Sequence, residues 1–441
     1  MTQAPPSQRI NPKDRDAVLN ALRAGVVPKR GIRHVQVGRE KEVLALIRDI
    51  DRIAEGGGSF RLVLGDFGAG KSFFLSLVRI VAMEKNLVTA TADLNPDRRL
   101  YGGSGQARSL YNELARNIAT RSSPEGGAMP AIIGRFVTVA QQEAKASGRP
   151  VEQLIDERLA SLSELVGGYD FAAVVGAYWK GHESGNEQLK SDAIRWLRGE
   201  FSTRTDARNA LGVRTIIDDD SFYDGIKLLA RFVRLSGYAG LMCGLDELVN
   251  LYKLAQSQSR AQNYEQILRI FNDALQGGAE GLGWVLGGTP ECLLDARRGL
   301  YSYPALQTRL SENTFAAAQG IADVNGPVIR LPRLDATDLF VLMIKLRDLV
   351  QSGAPNMPPV PDEAIHAFLA HCEARIGAAY FQTPRNSIRA FLDLLSVLEQ
   401  RPDLAWSDLV EGSEIATEVD TDALTEDPAA SGDDELATVR L

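Results

Sequence analysis

The residues of this chain best suited to chemistry lie in two short runs. The first, Gly65-Asp66-Phe67-Gly68-Ala69-Gly70-Lys71-Ser72, matches the pattern G-x-x-x-x-G-K-[S/T] in full. It follows the β-rich run Phe60-Arg-Leu-Val-Leu64 and precedes a helical pattern that begins near Ser72 and includes Phe73. Strand, glycine turn and helix in that order make a phosphate cradle. Glycines let successive backbone N–H groups turn inward toward phosphate oxygens, and the following helix contributes its positive end. Lys71 has the charge and reach for β- and γ-phosphates, and the Ser72 hydroxyl is a ligand that Mg²⁺ accepts. The second run, Gly240-Leu-Met-Cys-Gly-Leu-Asp-Glu247, is an apolar strand ending in two acids. Asp246 is the expected Mg²⁺ partner and Glu247 the expected general base for an attacking water. An ordinary strand followed by a helix-capping Asp gives the same pattern, so it gains its meaning from the glycine run.

Other residues complete or fail to complete such a site. A further strand, Trp284 to Gly288, ends at Thr289-Pro290. Its tip would offer Thr289 to a γ-phosphate, or Thr289 simply caps the strand end. No guanine-reading Asn-Lys-x-Asp occurs, so adenine is the expected base. His366, His371 and Cys372 are close in sequence, but their spacing does not put them on one helix face, and no metal cluster is expected. Mg²⁺ carried with nucleotide is the one metal foreseen. Tyr169, Phe171, Tyr178, Trp179 and Trp196 lie among Lys180, Lys190, Arg195 and Arg198. That mixture suits a single-stranded nucleic acid, although core aromatics of a helical subdomain explain it more simply. Asp218-Asp-Asp220 reads as the acidic start of the helix that follows.

The elements that must position these residues alternate strand with helix, which argues for a mostly parallel α/β sheet. Residues 40–55 repeat apolar side chains at helical spacing, and Leu87-Val-Thr-Ala-Thr-Ala92 is a second strand. Between Lys71 and Asp246 lies a long, mostly helical stretch with candidate helices at 108–120, 131–147, 151–166, 187–200 and 221–236. After the strand Val328-Ile-Arg-Leu331 come helices at 336–352, 362–373 and 384–399, which read as a lid. The expected organisation is an N-terminal segment 1–36, a first part of the core 37–104, a helical insertion 105–236, a second part of the core 237–333, a helical lid 334–410 and an acidic, disordered tail 411–441.

Composition narrows the class. The chain has 441 residues, 44% hydrophobic and 24% charged, as a globular protein does. The net charge of −8 belongs to the end of the chain. Residues 401–441 carry 12 acidic and 2 basic side chains, which leaves 47 basic against 45 acidic for the rest. The body is near neutral, so charge neither excludes nucleic acid nor argues for it. No apolar run is long enough to span a membrane. Met1 to Arg23 has no leader-like apolar stretch, and the three cysteines have no paired spacing, so a cytoplasmic setting is expected.

The two runs together resemble the AAA+ ATPases, in particular the origin-recognition initiator branch. The resemblance implies adenine packing by Val37-Gly38-Arg39, a sensor role for Thr289, and an arginine finger at Arg309 within Gln307-Thr-Arg-Leu310. It further implies a sensor arginine in the lid at Arg389, with Arg385 as second choice. The combination of Ala21-Leu-Arg-Ala-Gly-Val-Val-Pro28, Val37-Gly-Arg-Glu40, the glycine run, Leu245-Asp-Glu-Leu248 and Thr383-Pro-Arg385 is similar to the BrxD family of BREX anti-phage defence ATP-binding proteins. That resemblance spans about residues 15–400. It implies an ATPase with other defence-system proteins as partners (helicase or methyltransferase components), with duplex DNA and a homo-oligomer as further expectations. The lid is followed by no winged-helix segment of the initiator kind, and the long insertion is extra. Two alternatives stay open: a slow ATP switch of the STAND type, and an initiator-like DNA-binding protein.

Overall fold

The computed structural model describes residues 10–376 and 384–411. Thr383 and the acidic tail from 412 lie outside the described residues. Five strands form one sheet: β1 (Ser59–Leu64), β2 (Leu87–Asp93), β3 (Gly240–Asp246), β4 (Leu282–Gly288) and β5 (Val328–Arg330). Their order is β2-β3-β4-β1-β5, and every pairing is parallel. The fold is therefore α/β with a parallel sheet, as expected of a P-loop NTPase.

Strands covered on both faces read as continuous apolar runs, and alternate residues serve opposite cores. Leu62, Leu64, Val88, Ala90, Cys243, Leu245, Trp284 and Leu286 point into a core shared with the helices between β2 and β3. Val63, Leu87, Met242, Val285 and Ile329 face the helices Glu40–Ala54 and Lys71–Glu84. The first of these helices comes so close that a Cβ at Gly283 would lie 2.1 Å from Ile53 Cδ1. One buried ion pair ties this layer together. Arg61 on β1 donates to the Asp49 carboxylate and to the carbonyls of Val324, Asn325 and Gly326 just before β5.

The chain divides into two compact units. Val27–Asp66 and Gly70–Arg333 form one. The segments up to Val26, Phe67–Ala69 and from Leu334 onward form the other. In the latter, the helix Pro12–Arg23 packs on Ala336–Gln351 and Pro384–Gln400. A capping box, Asp335 with Asp338, starts the helix Ala336–Gln351. Gly25, at φ +71°, lies against the stem of Arg385, which brings two of the separate sequence motifs side by side.

The stretch between β2 and β3 contains two helices that sequence periodicity does not mark. Gly168–Ser184 buries Phe171, Val174, Val175, Tyr178 and Trp179 in the shared core, so its apolar residues spread around the helix instead of forming a stripe. Arg204–Leu211 is polar almost all round, with Ala207 its one fully buried residue. Of the insert aromatics, Phe171, Tyr178, Trp179 and Trp196 are core residues, while Tyr169 is 78% exposed. The acids before Ser221 act differently from the expected aligned helix start. Asp219 accepts from the Gly105 and Arg108 amides and so caps the helix Gln106–Arg116 from a distance, whereas Asp218 turns back onto Ser221.

Candidate nucleotide-binding site

The five parallel strands end at one edge, and the site is assembled from the loops that leave them. β1 leads into the glycine turn, where the Gly65 amide donates to Gly288 O at 3.2 Å. Gly68 and Gly70 have φ of +75° and +76°, a region that L side chains adopt only under strain. The Lys71 ammonium donates to Gly65 O and Asp66 O at 2.8 and 3.0 Å, which holds the charge within the turn. Ser72 and Phe73 begin the helix Lys71–Glu84.

β3 brings the acids to the same place. Ser72 Oγ donates to Asp246 Oδ2 at 3.0 Å, although the two residues are 174 positions apart. A hydroxyl and a carboxylate oxygen at this separation form a hard oxygen set that fits Mg²⁺ carrying its own waters. Among the described residues no group of three or more His, Cys, Asp or Glu could hold a metal. Any cation here would therefore take most of its ligands from phosphate and water. Glu247 is exposed and has φ +60°, one of three non-glycine residues with positive φ among the described residues. The Glu247 amide donates to Asp246 Oδ1 at 2.9 Å.

β4 lies between β1 and β3, so its tip stands between the lysine and the acids. Thr289 is there, half-buried, with its hydroxyl 3.3 Å from Cys292 Sγ. It occupies the cap position of the helix Pro290–Leu294, but its side chain makes no capping bond. Gly287 has a role that the sequence reading missed. A Cβ there would lie 2.5 Å from Asp246 Oδ1, so the glycine makes room for the carboxylate. The Gly-Gly pair inside a strand was the available signal.

Two more residues frame the turn. Arg39, itself at φ +60°, makes a long contact to Gly70 O at 3.5 Å and donates to Pro332 O at 3.3 Å. This brings the Val37-Gly38-Arg39 segment to the glycine turn. Arg333 donates to Asp66 Oδ2 at 2.9 Å. Nothing in the sequence pointed to Arg333, since its partner is 267 positions away. Asp93 ends β2 in register with Asp246. Partial burial, and then the Asp246 carboxylate, push its carboxyl above the ordinary range.

None of the hydrogen bonds described for the site involves the three remaining arginines. Arg309 is exposed, and its bonds go to Asn272 Oδ1 and Ala305 O, both at 3.0 Å. Arg385 and Arg389 are exposed on the helix Pro384–Gln400, in the other unit.

No helix among the described residues is long and apolar enough to cross a membrane. No curated protein matches the chain. Residues 10–414 match the family described as BREX system ATP-binding protein BrxC/D, and with nearly its whole described length covered this chain belongs to that family of BREX ATP-binding proteins.

Proposed function

We propose that the protein is an AAA+-type ATPase that hydrolyses ATP within a BREX-type anti-phage defence system. The observation that carries this reading is the 3.0 Å contact between Ser72 and Asp246, with Glu247 exposed next to it. The backbone N–H groups of Gly65–Gly70 and the Lys71 ammonium bind the phosphates. Val37, Gly38 and Arg39 line the adenine side. Ser72 and Asp246 would hold Mg²⁺, which when bound neutralises charge on the phosphate oxygens. Glu247 takes the proton from the attacking water, and Thr289 orients that water or the γ-phosphate. Arg389, with Arg385 as second choice, would sense the γ-phosphate from the lid. Arg309, exposed and bonded to Asn272 and Ala305, would act in trans on a second copy in a homo-oligomer. Partners would be other components of the defence system and duplex DNA, in the cytoplasm.

The test is ATP turnover of the wild type and Glu247→Gln across protein concentrations, with and without duplex DNA. Loss of a general base lowers the rate by about 10²–10⁴-fold, while ATP binding persists. Turnover that rises with protein concentration supports the trans arrangement. Equal turnover in wild type and variant would overturn the role of Glu247. Tight ATP binding with negligible turnover in both would leave the slow switch as the better reading.

A further inference from the structure

The glycine turn carries a negative charge of its own. From Gly65 to Ser72 it holds one acid, Asp66, and one cation, Lys71. The Lys71 ammonium donates to the Gly65 and Asp66 carbonyls, which are backbone oxygens. The Asp66 carboxylate is met instead by Arg333, whose Nε and Nη2 both lie on Oδ2, at 2.9 and 2.8 Å. The sheet brings these two residues together. β5 pairs with β1 in parallel, with Arg330 beside Leu64, and the Leu331 amide donates to Leu64 O at 2.7 Å. The two segments leave the sheet side by side, so the second residue after β1 meets the third after β5. Arg39 fastens the same segment, since it donates to Pro332 O and makes its long contact to Gly70 O. The Arg333 backbone is thus held beside the turn by bonds that its own side chain does not make.

The pair does little for folding. The two side chains are 43% and 42% exposed, and ion pairs at that exposure contribute little to stability. Its effect is on the field at the turn. Backbone N–H groups gathered around a triphosphate attract it, and a carboxylate among them repels it. Asp66 belongs to the turn's own backbone, so it stays there when nucleotide enters. A guanidinium is charged at every working pH, and Arg333 on the carboxylate cancels that repulsion. The cancellation matters more for a ligand of higher negative charge, because Coulomb energy scales with the product of the charges.

We propose that Arg333 is a positioning residue that sets nucleotide affinity: by neutralising Asp66 it lets the glycine turn take a triphosphate, and it favours ATP over ADP. This rests on the reading of the turn as the ATP site, and Arg333 acts through Asp66 without touching phosphate. The test titrates the full chain with a fluorescent, non-hydrolysable ATP analogue and with the matching ADP. Arg333→Gln leaves Asp66 uncancelled and should weaken ATP binding roughly three- to tenfold, and ADP binding less. Asp66→Asn leaves the guanidinium in excess and should tighten ATP binding by a similar factor. Asp66→Asn/Arg333→Gln is neutral again and should return to within about twofold of wild type, as should Arg333→Lys, which keeps the charge. All of these differences should shrink in about 0.5 M salt, where exposed charges are screened. Equal weakening by Arg333→Gln with and without Asp66→Asn would overturn the proposal, because Arg333 would then not act through Asp66. Weaker binding by Asp66→Asn than by wild type would overturn it and make the pair a structural fastening. Unchanged affinity in Arg333→Gln would overturn it and leave the ATP site standing. No binding by wild type would overturn the ATP reading as well.

Discussion

Replacing Arg61 with Met is the sharpest test of how the candidate site is supported. Arg61 sits on β1, the strand that delivers the glycine turn, and its side chain is 8% exposed while that of Asp49 is 2% exposed. The guanidinium donates twice to Asp49 and once each to three successive carbonyls, Val324, Asn325 and Gly326. Arg61→Met would leave the buried Asp49 carboxylate with only the half-exposed Arg52, 3.7 Å away, as a cationic partner. Breaking a buried pair from one side costs about 3–5 kcal/mol. Replacing both members with apolar side chains removes the stranded charge, so Asp49→Leu/Arg61→Met should recover most of that loss. Denaturant unfolding followed by tryptophan fluorescence would read both, since Trp284 is fully buried on β4 beside β1. The carbonyls held by Arg61 lead into β5 and then to Arg333, the partner of Asp66. The single variant should therefore also bind ATP more weakly. Equal losses in the single and double variants would refute the stranded charge as the cause. A loss below about 1 kcal/mol in the single variant would refute the pair's structural role altogether.

Three other outcomes follow from the same geometry. Because Asp93 has a raised carboxyl pKa in the folded state, its contribution is present at pH below its unfolded value and lost as pH rises through the folded one. Asp93→Asn should then melt at a higher temperature than wild type near neutral pH, with the gap closing in acid; a gap that widens in acid would contradict this. Burial pushes the Cys243 and Cys292 thiols up and that of Cys372 to about 12, so all three should resist a thiol reagent at pH 8 until the protein is unfolded. Rapid labelling of the native protein would count against the packing described. Arg309→Ala should abolish any rise of turnover with protein concentration and leave the unfolding midpoint nearly unchanged, because the residue is exposed and a surface bond contributes little; a large drop in the midpoint would point to a structural role with Asn272.

The parts of the site that lie within one run of residues were legible in the amino-acid order. Gly65 to Ser72 must form a strand–turn–helix, because the glycines permit positive φ and the apolar runs on either side have the right lengths. The paired acids at Asp246 and Glu247 were visible for the same reason, as was Thr289 at the tip of β4. Residues whose role depends on a distant partner were not. Arg333 looks like any exposed arginine until it meets Asp66, and Gly287 looks like a weak strand position until the Asp246 carboxylate fills the space beside it. The helices Gly168–Ser184 and Arg204–Leu211 show no stripe, because one is buried around most of its surface and the other exposed around most of its own. Local sequence thus determines which backbone shapes are cheap and which residue types sit at strand ends. The strand order β2-β3-β4-β1-β5 decides which of those ends become neighbours, since parallel pairing can join segments at any separation along the chain.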